Sequence, residues 1–564
     1  MMSIFISIFL ISFSLLSYEI LLMRIFSIVS WSHFAYMVIS IALLGFGVSG
    51  TFISLFQKGL KKRFYLFFVL FSFLFSLSLP LCFVFSQRIP FSPFLIVWYR
   101  KEYLHLLEYY LVFLIPFFLG ATCIGLSFLK LAPQIPRVYF ANLLGSGAGA
   151  LGIILIMYLI PPISALGVII IFAFSSTLIS AIDSNKKWED SSSSTQKKEN
   201  SHSSSTQRRC SGRACSANVG QASLTTTMGR NDFSRPIYKF LHSKGILIIA
   251  VIIFSALIIA FFLYPPQVRI SQYKGLSTTL KLPQAEIISQ RFSPLARLDV
   301  VKSPSIRYAP GLSLNFKGEI PPQLALFIDA DSMCSITNFQ KDLSKVKYLD
   351  YTTSALPYHL LNKPAMLIIG AGGGSEVLGA LYHKASSIEA VEVNPQVIDL
   401  VENEYGNFSN HVYSHPQVRV KIAEGRGVME STDEKYDLVE IALLDSFSAS
   451  SAGVYATSES YLYTISAITQ YISHLTPQGI LSITRWIKTP PRDGIKLFAT
   501  AVESLKNVGI KNPSFHLIFI RSWATSTLLI GRSPFTPSQI KTVKEFTRER
   551  LFDLIWYPGI SPKE

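Results

Sequence analysis

Seven runs of mostly apolar residues, at 4–27, 33–55, 64–87, 107–129, 137–160, 163–182 and 245–264, dominate the first half of the chain. Each supplies the roughly 20 residues that cross about 30 Å of hydrocarbon at 1.5 Å rise, so the pattern predicts seven membrane-spanning helices. The first run lacks the basic start and small-residue cleavage site of a signal peptide and reads as a retained anchor. Residues 183–244, between the sixth and seventh runs, are Ser-rich and basic with few large apolar side chains, which predicts a disordered linker. After Pro265 and Pro266 the period shortens. Alternating runs such as LARLDVV and LALFID, separated by Pro and Gly, predict a small β-rich domain over 267–364. From 365 to 564 short β-branched runs (AMLIIG, IEAVEV, RVKIA, YDLVEIALLD, GILSITRW) alternate with helical segments (SEVLGALYH, PQVIDLVENE, ESYLYTISAITQYISHL). That alternation predicts an α/β fold, a mostly parallel, doubly wound sheet with helices on both faces. A further helix, a hairpin and a last helix follow Trp486.

Composition agrees with this division. Half of the 564 residues are hydrophobic, 15% are charged, and the mean hydropathy is +0.38. The net charge of +16 is concentrated before Gln267, where 21 Lys and Arg face 8 Asp and Glu; the remainder has 30 against 27. Basic residues in short loops of a membrane half fit orientation signals and anionic headgroups rather than nucleic acid. The loop charges disagree about orientation, so the chain reads as a multi-pass protein of a bacterial-type cytoplasmic membrane with its C-terminal half on the cytoplasmic side by substrate logic alone. Five cysteines without zinc-type spacing exclude a disulfide framework, and no metal is expected. Glu19 and Arg24 share the first run, where an Arg that snorkels to the interface is the expected arrangement. Gly145, Gly149 and Gly152 in NLLGSGAGALG have no preceding strand and read as small-residue helix packing, not as a dinucleotide loop.

The candidate chemistry lies after residue 365. Gly370, Gly372 and Gly374 in IGAGGGSE follow a buried strand and open a helix, so the backbone can turn tightly and approach a ligand. Glu392 ends the next strand, 20 residues beyond Gly372, where an acid can accept both ribose hydroxyls of a nucleoside. Glu424 follows the third strand. Asp445, after the fourth, stands at the mouth of the predicted pocket, where a carboxylate can bind a cation or take a proton from an amine. Ser375 in place of a third glycine, and the lack of a hydride partner, argue against a dehydrogenase.

The pieces LIIGAGGGS, AVEVNP, AEGR, YDLV, Asp445-Ser446, ESYLYT and PQGIL make residues 320–486 resemble the spermidine synthase, or polyamine aminopropyltransferase, family. SYEILLMRIFS and LLGFGVSG resemble its membrane-embedded branch. The resemblance implies a small β domain before a class I methyltransferase-like, Rossmann-like fold. It implies that Gly370, Gly372 and Gly374 line a sulfonium nucleoside, that Glu392 holds its ribose, that Glu424 lies near its adenine and that Asp445 is catalytic. Decarboxylated S-adenosylmethionine, or S-adenosylmethionine itself, is the implied co-substrate, and a small-molecule amine the acceptor. Asp329, Asp331 and Tyr351 are the nearest matches to acceptor-binding positions. The departures are specific. Ser448 and Ala449 stand where soluble members have a second acid and Pro, and Gly373 stands where they have an Asp that meets the aminopropyl ammonium. Two alternatives follow: an S-adenosylmethionine-dependent methyl- or alkyltransferase acting on a membrane-delivered substrate, and a transporter or channel with a nucleoside-sensing domain. The expected partners are the lipid bilayer and the amine, with no nucleic acid; a homo-oligomer is allowed.

Overall fold

The computed structural model describes residues 2–30, 32–91, 95–96, 98–207, 244–444, 459–487 and 492–560. The chain divides into two compact units, Met1–Ile25 with Tyr36–Arg269, and Phe26–Ala35 with Ile270–Glu564.

The helices of the apolar half are α1 (Met2–Val29), α2 (Ser32–Lys62), α3 (Phe64–Ser86), α4 (Lys101–Lys130), α5 (Ile135–Leu159), α6 (Pro162–Gln207) and α7 (Lys244–Leu263). Among the described residues, six helices are long and apolar enough to cross a membrane, and α7 carries the seventh run. Glycine spacing sets one helix contact: a Cβ on Gly145 would lie 3.0 Å from Phe9 Cα, and one on Gly149 would lie 2.9 Å from Phe13 Cα. The two glycines are one turn apart and let α5 lie directly on the backbone of α1, the close approach expected of small-xxx-small spacing. Ser17 Oγ adds a 2.9 Å hydrogen bond to the Gly149 carbonyl.

Two expectations change here. Arg24 does not snorkel; it is fully buried, because α1 meets protein around most of its circumference. The predicted linker is helical at its start, since α6 runs on through Gln207 and no Gly or Pro interrupts 183–207. The remainder of that segment, 208–243, lies outside the described residues.

In the second unit, β1 (Glu286–Phe292), β2 (Arg297–Lys302), β3 (Gln323–Ile328) and β4 (Ser332–Thr337) form an antiparallel sheet in chain order. The larger sheet contains β5 (Ala365–Ile369), β6 (Ser387–Glu392), β7 (Val418–Ile422), β8 (Tyr436–Ile441), β9 (Leu475–Trp486), β10 (Leu517–Arg521), β11 (Thr525–Gly531) and β12 (Asp553–Trp556). Its order is β12-β10-β11-β9-β8-β5-β6-β7, with β9 through β7 parallel and the other three antiparallel. Both faces of the central strands are apolar, as buried parallel strands require. Met366 and Ile368 of β5 face a core shared with the helices 375–382 and 537–550; Leu367 and Ile369 face a second core with the helices 425–431 and 465–473. Leu298, Val300, Leu324 and Leu326 of the small sheet belong to the first of these cores, so the two sheets share one interior.

The predicted helix 459–475 is broken at Thr464, whose hydroxyl caps a new start by accepting from the Ala467 amide. The crossover leaves β5 toward β6 on one side and the chain returns to β8 on the other. A crevice therefore opens at the carboxyl ends of β5 and β8, the position where open α/β sheets bind ligands.

Candidate functional site

The glycine loop starts where β5 ends. Gly370, Gly372 and Gly374 all have positive φ (88°, 53° and 92°), a backbone that side chains rarely adopt, and a Cβ on Gly370 would strike Leu444. The Gly370 and Ala371 amides donate to the Val391 carbonyl, which folds the loop over the end of β6. The Gly372 amide then donates to Glu392 Oε2 at 3.1 Å, and the Asn394 amide donates to Glu392 Oε1 at 3.0 Å. Burial pushes the Glu392 carboxyl up, partly offset by these two amides. Tyr413 Oη donates to the Gly372 carbonyl at 2.8 Å and fixes the loop from the other side.

Gly373 lies against β4. A Cβ there would collide with the Ser335 carbonyl oxygen and sit 2.7 Å from its carbon, although the backbone angle of Gly373 is ordinary. Ser335 and Ser375 hydroxyls meet at 3.2 Å across the same contact. Packing against the small sheet, not turn geometry, therefore requires glycine at 373.

Gly370, Gly372, Glu392 and Glu424 line one cavity of about 240 Å³ at the ends of β5–β8. Glu424 is also a helix cap, its Oε2 accepting from the Gly427 amide at 2.8 Å. Gly374 caps the helix Ser375–Tyr382 and does not line the cavity. Asp329, Asp331 and Tyr351 are not among its lining residues. Asp329 is buried in the β3–β4 turn, where Oδ1 accepts from the Arg297 amide; Asp331 Oδ1 accepts from the Gly275 amide; and Tyr351 packs on Phe316 and under Arg550. Asp445 lies outside the described residues.

The cavity continues inward past residues that the sequence reading did not single out. Glu440, one residue from the carboxyl end of β8, is 2% exposed, and its Oε2 accepts from Tyr358 Oη at 2.8 Å. Glu376 is in the first turn of the helix after the glycine loop. Burial pushes Glu376 up to about 7, and burial together with the nearby Glu376 charge pushes Glu440 up to about 8. The sequence marks Glu440 only weakly, as the second of two acids, after Asp437, in an otherwise apolar strand, YDLVEIALL. Glu376 reads as an ordinary acid at a helix start until the fold turns it inward.

Beyond Tyr358 lies the one metal-type group among the described residues, Asp350, His359 and His383, with ligand atoms within 4.8 Å of one another. Arg550 Nη2 is 2.7 Å from Asp350 Oδ2 and already supplies the positive charge that a cation would bring. Burial pushes the Asp350 carboxyl up, but His359 and Arg550 more than offset this and hold it below the usual range. His383 is pushed down to about 4 by burial and stacks on the Tyr358 ring at 4.7 Å.

Residues 348–493, which include the glycine loop, Glu376, Glu392, Glu424 and Glu440, match the family described as the spermine/spermidine synthase domain. Residues 348–493 are similar to a spermidine synthase domain. Over 88 residues the chain is 32% identical to the polyamine aminopropyltransferase of Korarchaeum cryptofilum, covering 16% of this chain and 27% of that protein. Over 185 residues it is 23% identical to the polyamine aminopropyltransferase of Sulfurisphaera tokodaii, covering 33% and 56%. The chain thus spans about half or less of the length of these curated relatives. Among solved structures, the spermidine synthase from Thermotoga maritima is 17% identical with a TM-score of 0.33, covering 49% of this chain and 85% of that one. A probable spermidine synthase from Corynebacterium glutamicum is 12% identical with a TM-score of 0.34, covering 50% and 98%. The synthase-like domain and the small sheet before it together occupy the second unit.

Proposed function

We propose that this protein is a membrane-bound aminopropyltransferase that moves an aminopropyl group from decarboxylated S-adenosylmethionine to a small amine. The observation that carries the reading is the Gly372–Glu392 pair in the wall of a cavity at the strand ends. Each carboxylate oxygen of Glu392 accepts one backbone amide and keeps a lone pair for a ribose hydroxyl. The glycine loop leaves room for the sulfonium end of the ligand. In the transfer, the amine nitrogen lone pair attacks the methylene carbon next to sulfur. The C–S bond breaks with its electron pair going to sulfur, the sulfonium becomes a neutral thioether, and the new C–N bond is completed by loss of a proton to a base, the role assigned to Asp445. Six long apolar helices support residence in a bilayer, and the cytoplasmic origin of adenosyl sulfonium donors supports a cytoplasmic domain.

A second reading, with S-adenosylmethionine as donor, is favoured by one contact. Gly373 presses on Ser335, so the acid that meets the aminopropyl ammonium in soluble synthases has no room at that position. Calorimetric titration of the full-length, detergent-solubilised protein with both donors separates the two. Tighter binding of the decarboxylated donor by about tenfold, or 1.4 kcal/mol, supports aminopropyl transfer; the reverse preference supports methyl or other alkyl transfer. Binding of neither by folded protein refutes both. A reporter fused after Glu564 is expected on the cytoplasmic side.

A further inference from the structure

The inner end of the cavity holds two carboxyl groups without a positive partner among the described residues. Glu376 forms no ion pair among the described residues, and its carboxyl is met by its own backbone amide. Glu440 uses one oxygen for Tyr358, and no second donor reaches the other oxygen, although the residue is nine-tenths buried and lines the cavity. No Lys or Arg is paired to either carboxyl among the described residues. Elsewhere in this unit, three acids do have cationic partners: Asp299 has Arg297, Glu389 has Lys421 and Asp350 has Arg550. A buried carboxyl without a counterion is costly unless it stays protonated or a ligand supplies the charge. The walls leading to the pair include Leu349, Ala355 and Met333, apolar surface that suits a methylene chain.

We propose that Glu376 and Glu440 form the seat of a primary alkylammonium group in this cavity. The proposal rests on reading the cavity as the transfer site and names the chemistry that the site selects. It also accounts for the missing acids. Gly373 and Ser448 have lost carboxyls that soluble members use for amines, and two glutamates approach the same ligand from the first helical turn and from β8 instead. Tyr358 Oη, donating to Glu440, orients its carboxyl with one oxygen left for the ligand. The raised pKa values agree with this assignment, because an arriving ammonium supplies the countercharge that burial has withheld. The ammonium has two sources, the acceptor amine and the aminopropyl tail of the donor.

The test titrates full-length protein in detergent with 5′-methylthioadenosine, with putrescine in the presence of that nucleoside, and with decarboxylated S-adenosylmethionine. Wild type is compared with Glu376→Gln, Glu440→Gln and the double variant. If the ammonium belongs to the acceptor, the double variant binds putrescine at least tenfold more weakly while binding 5′-methylthioadenosine as wild type does. If it belongs to the donor, the preference for decarboxylated S-adenosylmethionine over 5′-methylthioadenosine collapses instead. Unchanged binding of both ammonium ligands overturns the inference. So does wild-type protein that binds 1,4-butanediol as tightly as putrescine, a comparison that needs no variant to fold. If wild type does not bind 5′-methylthioadenosine at all, the transfer reading itself falls, a result distinct from loss of ammonium recognition alone.

Discussion

The Gly372 amide and the Glu392 carboxylate are joined at 3.1 Å across the ends of β5 and β6. One bond thus ties the shape of the glycine loop to the charge proposed to hold a ribose. Replacing Glu392 by Ala leaves the Gly372 and Asn394 amides without their acceptor, a cost of about 1–3 kcal/mol. The expected result is a lower melting temperature together with at least a tenfold loss of 5′-methylthioadenosine affinity, measured by calorimetry. Affinity equal to wild type would refute the ribose assignment.

Restoring the acid of the soluble synthases at position 373 is expected to fail. Any side chain at 373 meets the Ser335 backbone, and overpacking of this kind costs about 1–3 kcal/mol. Gly373→Ala and Gly373→Asp should both lower the melting temperature, and Gly373→Asp should not raise affinity for the decarboxylated donor. A stable Gly373→Asp protein with improved donor binding would show that β4 yields.

The paired acids make stability fall with rising pH. Glu376 at about 7 and Glu440 at about 8 keep protons that the unfolded chain releases near 4.5. The native state therefore binds more protons than the unfolded state from about pH 4.5 up to those values, and stability is lost through that window. The groups facing the pair are Tyr358, whose hydroxyl donates to Glu440, and Tyr348, Tyr413 and Cys334, which burial pushes up with a smaller contribution from the Glu376 charge. Glu440→Gln should flatten the fall in melting temperature between about pH 4.5 and pH 8. An unchanged slope would mean that this carboxyl does not titrate there.

The α1–α5 contact supplies its own control. Gly145→Val and Gly149→Val would drive a side chain into the backbone of α1, whereas a Cβ on Gly147 meets nothing within 4 Å. Thermal unfolding in detergent should show both valine variants destabilised and Gly147→Ala unchanged. Three equal melting temperatures would show that α5 does not lie on α1.

Periodicity made the order of elements legible, because buried parallel strands read as short apolar runs and the glycines sit where β5 must turn. Gly370, Gly372, Glu392 and Glu424 were visible for that reason: each is fixed by its position at a strand end. Glu376 and Glu440 were not, since only the packing of β8 beside β5 brings them to one cavity. Asp329 and Asp331 looked like ligands for the opposite reason. They stand in an acidic turn, but their oxygens are taken by the Arg297 and Gly275 amides, partners 32 and 56 residues away in sequence. β12 escaped notice because four residues at a sheet edge carry almost no pattern.

The contact of Gly373 with Ser335 also decides where this enzyme-like unit can be cut. The glycine loop and β4 are two halves of one wall, yet β4 lies upstream of the family match, which begins at residue 348. A fragment trimmed to that match would carry the loop without its backing and expose the core that Leu324 and Leu326 close. The smallest portable piece therefore starts at or before Glu286, and any chimera that exchanges the larger sheet must exchange the small sheet with it.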